Sequence, residues 1–202
     1  MLHDLDETIK QLLVRSGSFD PGEIDISFEI PNRSWSEKLG RPTINCYLFY
    51  LHERRQLREE GWRLENRGTN QSARRPPPLF FDVSYLITAW TQHVEDEHFL
   101  LWSALEIFMD NPILPEAYLQ GALVSHQWPV ETSVAHAEGV LKSPGEFWTA
   151  LENYLKPSLS YTVTLGRERN ARPTEAPPVR RPAITGRQSN GGTGSQQPPL
   201  SP

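Results

Sequence analysis

The run His93-Val94-Glu95-Asp96-Glu97-His98 packs two imidazoles and three carboxylates into six residues. A histidine and a carboxylate four apart share one face of a helix and can hold a divalent cation. His93 and Glu97 have that spacing, and His98 follows. Glu97 and His98, however, diverge by about 100° on a helix, and no second ligand motif stands elsewhere. The acids have a plainer role at the start of a helix, where carboxylates stabilise the positive end of the dipole. Thr91 is the expected N-cap, and no metal is expected.

The remaining chemistry is thin. Cys46 is the one cysteine, so neither a disulfide framework nor a cysteine-rich metal site can form within the chain. It sits in an apolar run and reads as a buried, inert thiol. His3, His52, His126 and His136 are scattered among expected surface positions. The sequence contains no G-x-S-x-G, P-loop or dinucleotide fingerprint. Gly166 to Arg187 has too few glycines in register to cradle a phosphate. No catalytic residue, no cofactor and no enzyme activity are expected.

One cluster suits binding rather than catalysis. Residues 52–77 contain Arg54, Arg55, Arg58, Arg63, Arg67, Arg74 and Arg75, with Trp62 and Leu64 as apolar islands. Glu53, Glu59, Glu60 and Glu65 interleave them, so the local positive excess is modest. A solvated, salt-bridged face is the commonest use of such a pattern. A protein interface comes next, because arginine and tryptophan are enriched there. Phosphate binding comes last: the whole chain of 202 residues carries a formal charge of −5. The candidate interface residues are therefore Arg54, Arg55, Arg58, Trp62, Arg63, Arg67, Arg74 and Arg75.

The elements that would carry this cluster follow from periodicity. Leu2 to Arg15 places Leu2, Leu5, Ile9, Leu12 and Leu13 on one helical stripe. Asp4 or His3 is the expected cap, and Gly17 the stop. Glu23 to Ile30 alternates as a half-buried strand, ended by Pro31. Trp35 and Leu39 should close a short turn over the core edge. Pro42 to Leu51 is apolar on both faces, which predicts a central strand. Residues 52–77 should form a long polar hairpin arm that continues this strand outward, turns at 67–70 and returns into Leu79. An unstructured loop is the alternative.

Leu79 to Trp90 is rich in β-branched and aromatic residues, as a strand is. Val94 to Met109 is apolar nearly all round and reads as a buried helix. Pro115 to Leu119 is a short helix. Trp128 to His136 alternates and reads as an edge strand. Ser143-Pro144-Gly145-Glu146 opens a helix running to about Leu155, expected to bury Phe147, Leu151, Tyr154 and Leu155. Ser158 to Leu165 is the last strand. The order predicts an α+β fold: a mainly antiparallel or mixed sheet of about five strands with three or so helices packed on it.

The chain divides at residue 165. Residues 1–165 form the expected α+β domain with its polar arm near 52–77. Residues 166–202 hold seven prolines, five glycines and no aromatic residue, a composition that cannot bury enough surface to order itself. That tail carries six arginines against two glutamates, so +4, which leaves −9 on the rest. The N-terminus lacks the basic, contiguous apolar layout of a secretory signal. No window has the ~18 apolar residues of a membrane helix, and a cytoplasmic location is expected.

Several blocks in one order carry a family resemblance: LHDLDETIKQLL, FDPGEIDISFEIPNRSW, RPTINCYLFYLHE, RRPPPLFFDVSYLITAWT, EDEHFLLWSAL and LKPSLSYTVTL. Over residues 1–165 the chain resembles the Pvc16-type N-terminal domain family. These are cap, or tube-terminator, proteins of extracellular contractile injection systems, of which the antifeeding prophage and the Photorhabdus virulence cassettes are type examples. The resemblance implies a tail-terminator-like fold and a homohexameric ring on the baseplate-distal end of the inner tube. Such a ring stops tube growth and meets the last sheath layer. Its partners would be its own copies, the inner tube protein and the sheath protein, with no cofactor, membrane or nucleic acid. The particle would be assembled in the cytoplasm and then released. The other reading is an adaptor whose arginine-rich arm and basic tail bind another protein or nucleic acid.

Overall fold

The computed structural model describes residues 1–16, 19–65, 73–135, 143–169 and 174–175. Helix α1 (Leu2–Arg15) forms over the residues its stripe predicts and buries Leu5, Thr8, Ile9, Leu12 and Leu13. Its N-cap is Met1, without a side-chain cap. Asp4 instead pairs with the terminal ammonium group at 2.8 Å. The helix ends at Ser16; the expected stop, Gly17, lies outside the described residues.

The central sheet has the order β1-β2-β5-β7-β6. It is built from β1 (Asp25–Ser27), β2 (Thr43–Glu53), β5 (Leu79–Trp90), β6 (Glu131–Val134) and β7 (Leu159–Arg167). The β1–β2 pair is parallel and the other three are antiparallel, so the predicted five-stranded mixed sheet forms. β5 is its middle strand, β2 is internal, and β6 is an edge, as the Trp128 to His136 alternation implies. β1 is shorter than expected: only three residues pair, and Ile30 is exposed. A register shift between Leu48 and Tyr50 breaks the β2 alternation, so Tyr50 and Leu51 both stay exposed.

One face of the sheet meets α1 and α3 (Val94–Asp110). Val83, Tyr85, Ile87, Tyr161 and Val163 from the strands pack there against Leu5, Ile9, Leu12 and Phe108. Phe108 stacks on Tyr161 with centroids 4.0 Å apart. The opposite face carries a smaller cluster of Leu86, Trp90, Trp148 and Leu151. It is closed by Trp35 of α2 (Arg33–Ser36) and by α4 (Pro144–Ala150). Asn32 caps α2 by accepting from the Trp35 amide at 2.9 Å.

Helix α4 is shorter than its pattern. It stops at Ala150, and Glu152 has a positive φ of 55°. That conformation cannot continue a right-handed helix. Tyr154 and Leu155, expected to be buried, are exposed, and Trp148 takes the core position instead. The short helix expected at Pro115 to Leu119 is a 3-10 turn at Glu116–Tyr118, followed by a second at Gly121–Leu123.

Cys46 is fully buried and free, and burial pushes its thiol above the usual range. Nearby, the Tyr85 hydroxyl donates to Asp6 Oδ1 at 2.7 Å. Burial raises the Asp6 carboxyl pKa, and the bond from Tyr85 opposes that shift. The folded chain therefore holds this proton more tightly than the unfolded chain. Stability from this site falls as pH rises from the ordinary aspartate value, about 4, through the raised one. A carboxamide in place of this carboxyl would still accept from Tyr85, without a buried charge. Asp6→Asn is expected to flatten the pH dependence of the melting temperature across this window. The variant should melt no lower than wild type at neutral pH, which thermal melts at a series of pH values check.

Candidate protein interface

The arm is two pieces rather than one extended hairpin. β2 stops at Glu53, and a 3-10 turn at Arg55–Leu57 follows. A separate hairpin then forms from β3 (Arg63–Glu65) and β4 (Ala73–Arg75). So the strand does not continue outward into the arm, contrary to the expectation for residues 52–77. Gly61, at φ 95°, lies in the link between the pieces. The β4 strand also pairs with β8 (Thr174–Glu175), giving a second sheet of order β3-β4-β8. The division expected at residue 165 falls inside β7.

Most of the arginines near this link are already engaged. Arg54 donates to Thr164 Oγ1 at 2.8 Å, and Thr164 donates to Asp82 Oδ1 at 2.8 Å. The Arg54 amide also bonds the Phe80 carbonyl at 2.8 Å. This arginine ties the arm to the sheet. Arg58 pairs with Glu53 at 2.8 Å, and Arg63 with Glu59 at 2.6 Å. Arg75 lies 3.8 Å from Glu168. Arg67 and the side chain of Arg74 lie outside the described residues. Arg55 is exposed and makes no ion pair among the described residues. Trp62 is 56% exposed, and Leu51 and Leu57, earlier in the same stretch, are also exposed. Among the described residues of the cluster, Arg54, Arg58, Arg63 and Arg75 thus have partners within the fold, whereas Arg55 and Trp62 face outward, a smaller set joined by Leu57, which was not predicted.

A second surface was hidden in the sequence. Helix α3 buries only one face: Leu100, Ser103, Ala104, Ile107 and Phe108. Phe99 is 68% exposed, and Trp102 and Met109 are each 62% exposed. At 100° per residue these three lie on one outer stripe with Glu95, Glu106 and Asp110. The Trp102 indole donates to Glu106 Oε1 at 2.9 Å, one turn further along the helix. The overall apolar character of 94–109 predicted a buried helix. A single sheet face covers a single stripe, so Phe99, Trp102 and Met109 face outward while Leu101 and Leu105 stay half-buried at its edges.

The HVEDEH run serves the fold. His93, not Thr91, is the N-cap residue; Thr91 donates its hydroxyl to the His93 carbonyl at 2.6 Å. Glu97 accepts an ion pair from Lys156, whose ammonium lies 4.2 Å from the Trp90 ring centre. Among the described residues no three histidine, cysteine or carboxylate side chains gather as metal ligands. Among them, too, no helix is long and apolar enough to cross a membrane.

The sequence model of the Pvc16 N-terminal domain matches residues 4–181. The chain belongs to that family. The match reaches past the expected limit at residue 165 and takes in β8. Two solved structures share the fold of this Pvc16 N-terminal domain protein. One is the sheath/tube terminator of the extracellular contractile injection system PVC, in its extended state. It superposes over 96% of this chain with a TM-score of 0.66 and 23% identity. The other is the tube-terminating cap of the anti-feeding prophage, over 92% of this chain with a TM-score of 0.64 and 23% identity. The chain spans 65% and 61% of those two proteins, less than two thirds of either. No curated protein matches it.

Proposed function

We propose that this chain caps the inner tube of a phage-tail-like contractile injection system. Six copies form a ring on the baseplate-distal end of the tube, stop its growth and hold the last sheath layer. The observation that carries this is family membership over residues 4–181 combined with one fold shared with two tube terminators across nearly the whole chain. A ring needs two different surfaces on each copy, so that contacts close head to tail. The arm and the outer stripe of α3 are two such surfaces. Binding spreads over ring, tube and sheath contacts, and no chemical step is involved.

The adaptor reading draws less support. Its nucleic-acid form needs free cations, whereas Arg54, Arg58 and Arg63 are engaged by neighbours within the fold. Particles produced without this chain test the cap directly. Tubes of uncontrolled length, or sheaths that detach at the distal end, are expected by electron microscopy. Particles of normal and uniform length would overturn the assignment.

A further inference from the structure

We propose that the outer stripe of α3 docks onto the outward set of the arm in the next copy of this chain. This rests on the ring reading and names the contact that would close it.

Three observations support the pairing. The first is exposed aromatic surface: Phe99 and Trp102 on the stripe, and Trp62 on the arm, are each more than half exposed. Large aromatics in the open are the usual anchors of a protein interface. The second is charge. The α3 sequence contains five carboxylates and no lysine or arginine, and Glu95, Glu106 and Asp110 lie on its outer stripe. The arm offers Arg55, which has no ion-pair partner among the described residues.

The third is the position of the acids. Glu106 and Asp110 lie in or beside the last turn of α3, which has no basic residue. Carboxylates there face the negative end of the helix dipole, where a cation is favoured. An arginine from a neighbouring molecule would reverse that unfavourable placement. The occupant is therefore apolar, carries a cation and presents an exposed aromatic ring, and this chain's own arm fits that description. The stripe and the arm lie on different elements: α3 packs on α1, β5, β6 and β7, whereas the 3-10 turn of the arm packs on β5. The contact is thus heterologous, the kind that closes into a ring.

Size exclusion with light scattering, on the full chain at high micromolar concentration, reads the assembly. Wild type is expected to run as a ring. Trp102→Glu and Arg55→Glu should each shift it to a monomer with the far-ultraviolet circular dichroism of wild type, because both side chains are exposed, while the melting temperature drops with the loss of the ring. Each contact should weaken at least about thirtyfold, the ~2 kcal/mol of an interface hot spot.

A long bismaleimide gives the orientation, since Cys46 is fully buried. Trp102→Cys combined with Trp62→Cys should yield a ladder of linked copies. Either substitution alone should yield none, and a mixture of the two single variants should stop at dimers. Rings that persist in both glutamate variants would overturn this contact and leave the cap assignment standing. So would variants that form rings but no longer bind tube ends, which would place α3 against the tube. Linked dimers from Trp102→Cys alone would show a symmetric contact and overturn it too. A wild type that stays monomeric would sink the ring itself, and this contact with it.

Discussion

Trp148→Ala is expected to lower stability by about 3–5 kcal/mol, the usual cost of removing a buried tryptophan. The melting temperature should fall by about 10 °C for a domain of this size. Trp148 is 1% exposed, the more deeply buried of the two tryptophans in the smaller cluster with Leu86 and Leu151. Its ring lies 6.3 Å from that of Trp90, which in turn meets Trp35 edge-on at 5.4 Å. The cluster is thinly covered, by the four residues of α2 and the seven of α4. Neither helix is long enough to hold its shape alone, so losing the anchor should also release the α4 cover. Trp148→Phe keeps a ring in the site and should recover most of the loss. Thermal unfolding of the two variants checks both statements. An alanine variant that melts within a degree or two of wild type would show that this face is not part of the cooperative core.

Gly166→Val should cost about 2–3 kcal/mol by overpacking. A Cβ at this position would lie 2.5 Å from Trp128 Cε3 and 3.0 Å from Phe80 Cε1. Gly166 pairs across the ladder with Phe80, and Trp128 packs edge-on against that ring at 5.6 Å. The Gly166 carbonyl also bonds His126 Nε2 at 2.9 Å, while His126 Nδ1 meets the Trp128 carbonyl at 2.7 Å. A branched side chain must push the indole outward and strain both bonds. Calorimetry reads the stability loss, and tryptophan fluorescence reads the displaced indole. Gly145→Ala is the contrast. Its Cβ would meet nothing within 4 Å, so alanine should stabilise α4 by roughly 0.5–1 kcal/mol through helix propensity.

The two surfaces differ in how they stand in the sequence. The arm is visible as a composition: arginine, glutamate and a lone tryptophan between two apolar strands. Its division of labour is not visible. Arg54 and Arg55 are adjacent and chemically alike, yet one is engaged by Thr164 and the other faces outward. That difference depends on a residue 110 positions away, and no local pattern reports it. The α3 stripe is the converse case. Its residue types are plain, but apolar character all round a helix means burial only when something covers every side. The periodicity of the exposed set, at 99, 102 and 109, matches a second stripe and was a usable signal.

By itself the sequence determined the elements whose patterns are long and internally consistent. Helix α1, strand β5 and helix α3 form within a residue of their periodicities, because alternation and the 3.6-residue repeat are local properties of a chain. The mixed sheet, the buried thiol and the family blocks were equally legible. Only the tertiary structure decided what each face meets. It turned α3 outward along one stripe, ended α4 at Ala150 and placed Trp148 in the core. It also detached the arm into its own small sheet with β8. The physical reason is that burial is a property of pairs of surfaces, set by contacts far apart in the chain. Helix start and strand alternation, by contrast, are set by neighbours a few residues away.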